Sequence, residues 1–289
     1  QRTDRARRGD YVRNITVVKL DNIAAHAAGE VFNPLWLDHL RGFKAVRFMD
    51  WMGTNNSTQS QWADRPTPDE FAYTRAGVPV EIMLDLANRI GADPWFTIPH
   101  MADDEYAEQF AATLRDGLAP DRKAYVEYSN EVWNWQFQQA AWADEQALAR
   151  WGQENAWIEY YGLRAAEIAR ISTRVFGADA DTRLVNVISS QTGWMGLEQA
   201  VLTAPNWLAE SPANANPAEA FDAYAITGYL GGAGGAEENA AELHDWLADS
   251  QTQAEAAARE LGLAGSQASA YVTAHRYDAA TALLARDVA

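Results

Sequence analysis

The sequence of 289 residues contains no cysteine, and this absence excludes several kinds of chemistry together. It removes disulfides, thiolate nucleophiles and cysteine-ligated metal sites. The five histidines are scattered along the chain, without the short spacing that metal-ligand motifs use. A serine nucleophile also lacks support, because no Gly-x-Ser-x-Gly elbow occurs. We therefore expect neither a metal nor any other cofactor.

Basic residues are also scarce. Lys and Arg number 23 against 40 Asp and Glu, so the formal net charge at pH 7 is −17. This charge argues against non-specific nucleic-acid binding, which needs a basic surface. It also disfavours docking on anionic membranes, and no run approaches the roughly 18 apolar residues that span a bilayer. We expect neither a nucleic acid nor a membrane as a partner.

Apolar residues are abundant, at 48% of the chain with 12 tryptophans, which favours a well-packed globular protein. Short β-branched or aromatic runs alternate with longer stretches in which apolar residues recur at helical spacing. The predicted strands are residues 11–20, 45–51, 94–99, 124–129, 184–189 and 221–229. The predicted helices are a short one opened by Asn33-Pro34, then 78–90, 104–118, 138–151, 154–176 and about 195–209, with an Ala/Glu-rich helical region at the end.

This alternation of strands and helices predicts parallel βαβ units and an α/β fold. We interpret residues 1–289 as a single catalytic domain. The first predicted strand, residues 11–20, is either the first strand of that domain or the end of a preceding β domain.

The stretch AYVEYSNEVWNW, residues 124–135, carries the most specific chemistry in the chain. Its first half reads as a short strand, and the pair Asn130-Glu131 follows at the carboxyl end. Trp133 and Trp135 come directly afterwards. The acid can protonate a glycosidic oxygen, the amide can hydrogen-bond a sugar hydroxyl, and the rings can pack on sugar C–H faces. These residue types together favour a site for sugar chemistry.

The same residues also fit a purely structural interpretation. A glutamate after a strand can be a solvated loop residue or a favourable charge at a helix N-terminus. Trp133 and Trp135 can belong to the core. Spacing alone leaves both interpretations of Glu131 open.

The segment VEYSNEVWN resembles the fourth-strand motif of the clan A glycoside hydrolases, which are cellulase-like (β/α)8 barrels. In that family an Asn-Glu pair ends strand four, and its glutamate, here Glu131, is the general acid/base. A further glutamate that often lies four residues earlier corresponds to Glu127. Val132 replaces the proline that usually follows the pair, which places the chain outside the best-known cellulase group. The resemblance implies a (β/α)8 TIM barrel and covers six of its eight units.

Polar or aromatic side chains stand at the ends of successive predicted strands. In a (β/α)8 barrel, chemistry takes place at the face where the carboxyl ends of the strands meet. The residues at these ends are Arg47, Asp50, Trp51, His100, Asn130, Glu131, Gln191 and Tyr229.

The resemblance implies roles for four of them. Asn130 would bind the 2-hydroxyl next to the reacting carbon. Arg47 corresponds to the strand-two arginine that keeps the nucleophile carboxylate ionised. Tyr229 corresponds to the strand-six aromatic residue that hydrogen-bonds the nucleophile, and His100 to a histidine that contacts sugar in some relatives.

Each of these residues also has a structural alternative. Arg47 could pair with Asp50. His100 could be a satisfied structural histidine. Trp51, Trp62, Trp133 and Trp194 could be sugar platforms, but most tryptophans simply pack, and we expect only one or two of these four to touch a ligand.

A retaining enzyme of this clan also needs a nucleophilic carboxylate at the end of strand seven, about 5–5.5 Å from the acid/base. No strand that ends in glutamate follows Tyr229, and the only strand-like piece is 270–273. The chain is therefore either a fragment whose nucleophile lies beyond Ala289 or a barrel-derived relative without glycosidase activity. The fragment is favoured, because a six-stranded piece would leave sheet edges exposed.

We predict a retaining glycoside hydrolase that cleaves a β-linked polysaccharide or oligosaccharide. Glu131 would protonate the departing glycosidic oxygen and then take a proton from water. The alternative is a non-catalytic carbohydrate-binding protein on a similar barrel, and a glutamate at the end of strand seven would distinguish the two. The expected polymeric substrate implies export, and we expect a bacterial protein that is secreted or periplasmic.

Overall fold

A computed structural model describes residues 16–70, 72–227 and 240–280. The strands are β1 (Ala45–Arg47), β2 (Asp93–Ile98), β3 (Ala124–Tyr128), β4 (Leu184–Ser190) and β5 (Ala223–Ile226). The helices are α1 (Ile23–Ala27), α2 (Pro34–Leu40), α3 (Val80–Ile90), α4 (Asp104–Gly117), α5 (Gln138–Trp151), α6 (Trp157–Phe176), α7 (Ala180–Arg183), α8 (Leu197–Thr203), α9 (Pro205–Glu210), α10 (Ala240–Glu260) and α11 (Gly265–His275). Short 3₁₀ segments cover Leu20–Asn22, Trp62–Asp64, Gly177–Asp179 and Pro217–Ala220.

The five strands form one parallel sheet whose spatial order follows the chain, β1-β2-β3-β4-β5. Crossovers between parallel neighbours are right-handed, so this sequential order places the connecting helices on one face of the sheet. The predicted α/β class with parallel strands is confirmed.

Side chains alternate between the two sheet faces, as the two-residue period of a strand requires. On the face toward the helices, Phe96, Ile98, Val126 and Ile188 are almost fully buried. They belong to one apolar cluster with residues of α3, α4 and α6. Removing this surface from water contributes about 25 cal/mol per Å² and holds the helices against the sheet. The opposite face, which we call the open face, is therefore free to carry polar side chains.

Local signals in the sequence set several helix ends. The Asn33 side chain accepts a hydrogen bond from the Leu35 backbone N–H at 3.0 Å, and Pro34 follows at the first helical position, as predicted. Helix α3 ends at Gly91, whose φ of +67° lies in the left-handed region that glycine adopts at little cost. Helix α5 begins and ends at the predicted residues.

The strand predicted at residues 11–20 is wrong for residues 16–20, the part of it that the structure describes. Residues 16–19 form no regular structure, and a 3₁₀ segment begins at Leu20. Val17 is 93% exposed, and none of the described strands pairs with residues 16–19, so β-branched composition alone does not make a strand here. Residues 11–15 lie outside the described ranges.

Two other predictions also need correction. The strand-like residues 270–273 lie inside α11, where the helix-favouring neighbours outweigh the β-favouring Tyr271 and Val272. The helix predicted near residues 195–209 is split at Ala204, which has a φ of +40° and precedes Pro205. Proline disfavours the helical conformation of the residue before it, so α8 stops there and α9 starts at Pro205.

The Ala/Glu-rich region forms helices over α10 and α11, as predicted. These helices pack on each other, with Ala254 and Ala258 buried in α10. The Ser250 hydroxyl accepts backbone hydrogen bonds from Ala279 and Ala280 at 3.1 and 3.2 Å. Among the described helices, none combines the length and the apolar character needed to cross a bilayer.

Gly162 lies where α6 and α8 come into close contact, and a Cβ atom there would overlap the backbone carbonyl of Val201. Because a backbone group cannot rotate away as a side chain can, we expect Gly162→Ala to lower the free energy of unfolding by about 1–3 kcal/mol. Urea denaturation followed by tryptophan fluorescence measures this change. Gly193→Ala is the control, since its nearest neighbour is a side-chain oxygen at 3.9 Å. Equal losses in both variants would contradict the expectation.

Candidate active site

A cleft of about 450 Å³ opens on the open face, toward the carboxyl ends of the strands. We call it the first cavity. Residues of all five strands and of the turns that follow them line it. They are Arg47, Trp95, Glu127, Asn130, Glu131, Trp133, Ser189, Ser190, Ala225, Ile226 and Thr227.

The turn after β3 has an unusual backbone. Ser129 and Glu131 have φ angles of +61° and +43°, in the left-handed region that residues with a Cβ atom rarely adopt. Each such residue costs on the order of 1 kcal/mol and persists only where the surroundings hold it. Here the Ser129 N–H donates to the carbonyl of Ile98 at 2.8 Å. The turn brings Asn130 and Glu131 into the cleft together, as the sequence predicted.

Glu127 lies next to this turn, and its carboxyl group is almost completely buried, with 2% of the side chain exposed. Its Oε2 accepts hydrogen bonds from the Arg47 guanidinium at 2.8 Å and from the Trp95 indole at 2.9 Å. Its Oε1 accepts from the Ser189 hydroxyl at 2.6 Å. Burial of an acidic group is tolerated only with such compensation. Glu127 is therefore a structural anchor of the open face.

Arg47 joins this anchor to the candidate catalytic turn. Its Nη2 also donates to the Oδ1 of Asn130 at 3.0 Å. The guanidinium lies 5.3 Å from the centre of the Trp95 ring, which adds a cation–π contact. The alternative pairing of Arg47 with Asp50 is not the one formed, because strand register places Glu127 within reach.

A second set of hydrogen bonds holds Asn130 from the other side. Its Nδ2 donates to the Oδ1 of Asn55 at 3.0 Å. Gln139, which has no exposed surface, donates to the same Asn55 oxygen at 2.7 Å and to the Asn130 carbonyl at 2.8 Å. Gln139 in turn accepts from the Asn56 backbone N–H at 3.1 Å. The loop between β1 and α3 thus contributes two asparagines, Asn55 and Asn56, to the support of the site.

Glu131 differs from Glu127 in its surroundings. It is only partly buried and lines the cleft. Its Oε2 accepts a hydrogen bond from the Nδ2 of Asn134 at 2.9 Å, and the Asn134 backbone N–H donates to the Glu131 carbonyl at 2.8 Å. Within the described part of the chain, its Oε1 accepts no hydrogen bond. Glu131 therefore has an oxygen available to a ligand.

A second cavity of about 370 Å³ adjoins the first. Glu131, Trp133 and Thr227 line both cavities. Trp133 is 95% buried and rests edge-on against Tyr161, with ring centres 6.3 Å apart. The second cavity is completed by Asn134, Trp135, Gln191 and Trp194.

Four of the described candidate residues do not line either cavity: Asp50, Trp51, Trp62 and His100. Trp51 stacks on Trp36 with ring centres 5.6 Å apart and packs beside the apolar core. His100 is 2% exposed, lies edge-on to Trp142, and its Nδ1 has no hydrogen-bond partner among the described residues. Tyr229 lies outside the described ranges.

Sequence reasoning missed Trp95, Ser189 and Gln139. Trp95 and Ser189 occupy positions in β2 and β4 that face the same way as Glu127 in β3, so the two-residue strand period could have grouped them. No local signal marks Gln139, whose partner Asn55 is 84 positions away along the chain.

Comparison with protein-family models, with curated proteins and with solved structures gave no match for this chain. The geometry of the site therefore carries the functional argument. In residues 16–70, 72–227 and 240–280, no three His, Asp or Glu side chains lie together in a way that could hold a metal ion.

Loss of the acidic group at position 127 should destabilise the fold. In Glu127→Gln the Arg47 guanidinium loses its ion-pair partner, while the shape of the side chain is kept. We expect the free energy of unfolding to fall by about 2 kcal/mol, less than a fully buried pair would lose because Arg47 is one-third exposed. Chemical denaturation measures the loss. Asp50→Asn removes an exposed acid on the same segment and should be nearly neutral; an equal effect would refute the assignment.

Acid should destabilise the protein through His100, since burial lowers the pKa of this imidazole from 6.5 to about 4. The unfolded chain then takes up a proton at higher pH than the folded one. Stability is therefore lost as the pH falls below 6.5, by about 3 kcal/mol when it reaches 4. We expect the difference in unfolding free energy between wild type and His100→Gln to shift by about this amount between pH 7 and pH 4. A difference that does not change with pH would contradict the prediction.

Proposed function

We propose that this chain carries the acid/base side of a retaining glycoside hydrolase site, on a (β/α)8 barrel like those of clan A. The observation that supports this most is the Asn130-Glu131 pair, held in the cleft by a left-handed turn at the end of β3. The five parallel strands in sequential order fit such a barrel, because that order is the one in which strands follow each other around it.

Glu131 is the proton donor in this proposal. Its Oε1 is open within the described structure, and the Asn134 amide holds Oε2. In the first step the protonated carboxyl group gives its proton to the departing glycosidic oxygen. In the second step the carboxylate takes a proton from the attacking water. The hydrogen bond from the amide to one oxygen orients the carboxyl group and leaves the other oxygen to exchange the proton.

Asn130 binds the sugar hydroxyl next to the reacting carbon. Its Oδ1 is already occupied by Arg47 and one Nδ2 hydrogen by Asn55. The second Nδ2 hydrogen remains available, so Asn130 acts toward the sugar as a hydrogen-bond donor. The fixed orientation of the amide means that little entropy is lost when this bond forms.

The nucleophile of a double displacement comes from outside the described residues in this proposal. Glu127 is the other carboxyl group in the first cavity, but both of its oxygens accept hydrogen bonds and Arg47 is paired with it. With 2% of its side chain exposed and both oxygens turned to protein donors, Glu127 is poorly placed to attack a sugar carbon in the cleft. Glu127 and Arg47 act instead as positioning residues for Asn130.

A carbohydrate-binding protein without catalysis is the second candidate. One observation favours it: in the described part of the first cavity, Glu131 is the only carboxyl group not tied to a guanidinium. The aromatic walls and the fixed amide would still bind sugar in such a protein. Binding of a polymer without its hydrolysis would support this candidate.

Replacement of Glu131 tests the proposed function. Full-length gene product is assayed for sugar release from β-glucans, mannans, xylans and galactans, beside Glu131→Gln. We expect hydrolysis of one polymer class and a loss of about 10²–10⁴-fold in the variant, the usual contribution of a general acid/base.

Glu154→Gln is the matched control for this assay, because Glu154 is exposed and does not line either cavity. It should retain wild-type activity. Equal activity of wild type and Glu131→Gln would show that Glu131 is not the acid/base.

A further inference from the structure

Three tryptophans form a row beside the second cavity, and we call Trp135, Trp157 and Trp194 the tryptophan row. Trp157, the first residue of α6, is the central member. Its ring centre lies 5.1 Å from that of Trp135 at an interplanar angle of 61°, and 6.1 Å from that of Trp194 at 53°. The two outer rings come from the turns after β3 and after β4, so the row bridges two adjacent loops.

The outer members of the row are unusually exposed for their size. Trp135 is 52% exposed and Trp194 is 40% exposed, and both line the second cavity. Because both rings pack against Trp157, these two side chains cannot rotate freely. Part of their apolar ring surface therefore stays in contact with water. Large exposed aromatic surface in a concave site is typical of ligand binding.

Polar groups lie at the edge of the same cavity. Gln191 and Asn134 both line it with side-chain amides; one Nδ2 hydrogen of Asn134 bonds Glu131, which leaves the second as a donor. Aromatic faces together with amides suit a sugar ring, which presents C–H groups on its faces and hydroxyls on its rim. The net charge of −17 also disfavours an anionic ligand.

The position of Glu131 indicates which part of the substrate the second cavity holds. Glu131 lines both cavities, whereas Asn130 and Arg47 line only the first. If Asn130 holds the sugar that contains the reacting carbon, that sugar occupies the first cavity. The general acid stands between this sugar and its leaving group, so the leaving group occupies the second cavity.

We propose that the second cavity binds a sugar ring of the leaving group, stacked on Trp135 and Trp194. The orientation of the substrate in this proposal rests on the proposed function, whereas the binding of a sugar in the second cavity does not. The substrate is then an oligosaccharide or polysaccharide that continues on the reducing-end side of the cleaved bond. Removal of either outer tryptophan weakens its binding about three- to ten-fold, as expected for one aromatic contact.

Binding is measured with full-length protein carrying Glu131→Gln, which prevents hydrolysis if the proposed function is right. The probes are the hexaoses of β-1,4-linked glucose, mannose, xylose and galactose, titrated by calorimetry. We expect at least one hexaose to bind, and Trp135→Ala and Trp194→Ala each to weaken it by the stated factor. Trp207→Ala is the control, since Trp207 contacts Arg150 and lines neither cavity.

The orientation of the bound hexaose is measured by fluorine NMR on the same protein labelled with 5-fluorotryptophan. Single Trp→Phe substitutions assign the resonances. The bound hexaose carries a nitroxide at its reducing end or at its non-reducing end. We expect the reducing-end label to broaden the resonances of Trp135 and Trp194 more strongly than the other label does.

Three results would overturn the proposal: no hexaose binds, the Trp135 and Trp194 variants bind as tightly as the parent, or the non-reducing-end label broadens these two resonances more. Failure of the proposed function has a different signature. It appears when neither wild type nor Glu131→Gln hydrolyses any of the polymers, and the binding measurement then stands because the hexaose stays intact.

Discussion

Glu127 lies in the middle of the sheet, and its carboxyl group accepts hydrogen bonds from residues of three other strands, Arg47, Trp95 and Ser189. A buried acid without these partners would cost several kcal/mol. The contact therefore also specifies strand register. A slip of β3 by one residue would turn Glu127 toward the helices and Val126 away from them, which loses the ion pair and apolar burial together.

The geometry of the candidate site follows from this anchor. Arg47 can reach Asn130 because Glu127 holds its guanidinium at the end of β1. Gln139 and Asn55 hold Asn130 from the opposite side. With the side chain and the carbonyl of Asn130 both fixed, the strained φ angles on either side of it are sustained by contacts that reach three separate parts of the chain. Arg47 lies on a strand and Gln139 on a helix, and together with Asn55 from the loop after β1 they leave the turn little freedom.

The two faces of the sheet have different roles: one packs the core and the other carries the candidate site. The face toward the helices is largely apolar, and His100, in the turn after β2, is buried against α5. The open face carries the ion pair, the amides and the exposed aromatic rings that line the two cavities. The apolar core lies on the other face of the sheet. An oxygen of Glu131 that accepts no hydrogen bond within the described structure, and half-exposed tryptophans, therefore do not disturb the packed interior. Such an arrangement suits a ligand that is polar at its rim and apolar on its faces.

Local sequence alone determined the alternation of strands and helices, the cap at Asn33, the end of α3 at Gly91 and the place of Asn130-Glu131 at a strand end. These features depend on neighbours within a few positions, through hydrophobic period and backbone preference. Only the tertiary structure decided that Arg47 pairs with Glu127, 80 positions away, rather than with Asp50. It also decided that Gln139 supports Asn130, that His100 and Trp51 pack away from the cleft, and that Trp135 and Trp194 remain exposed. Such contacts depend on strand register and on the packing of distant segments, which no local pattern in the sequence encodes.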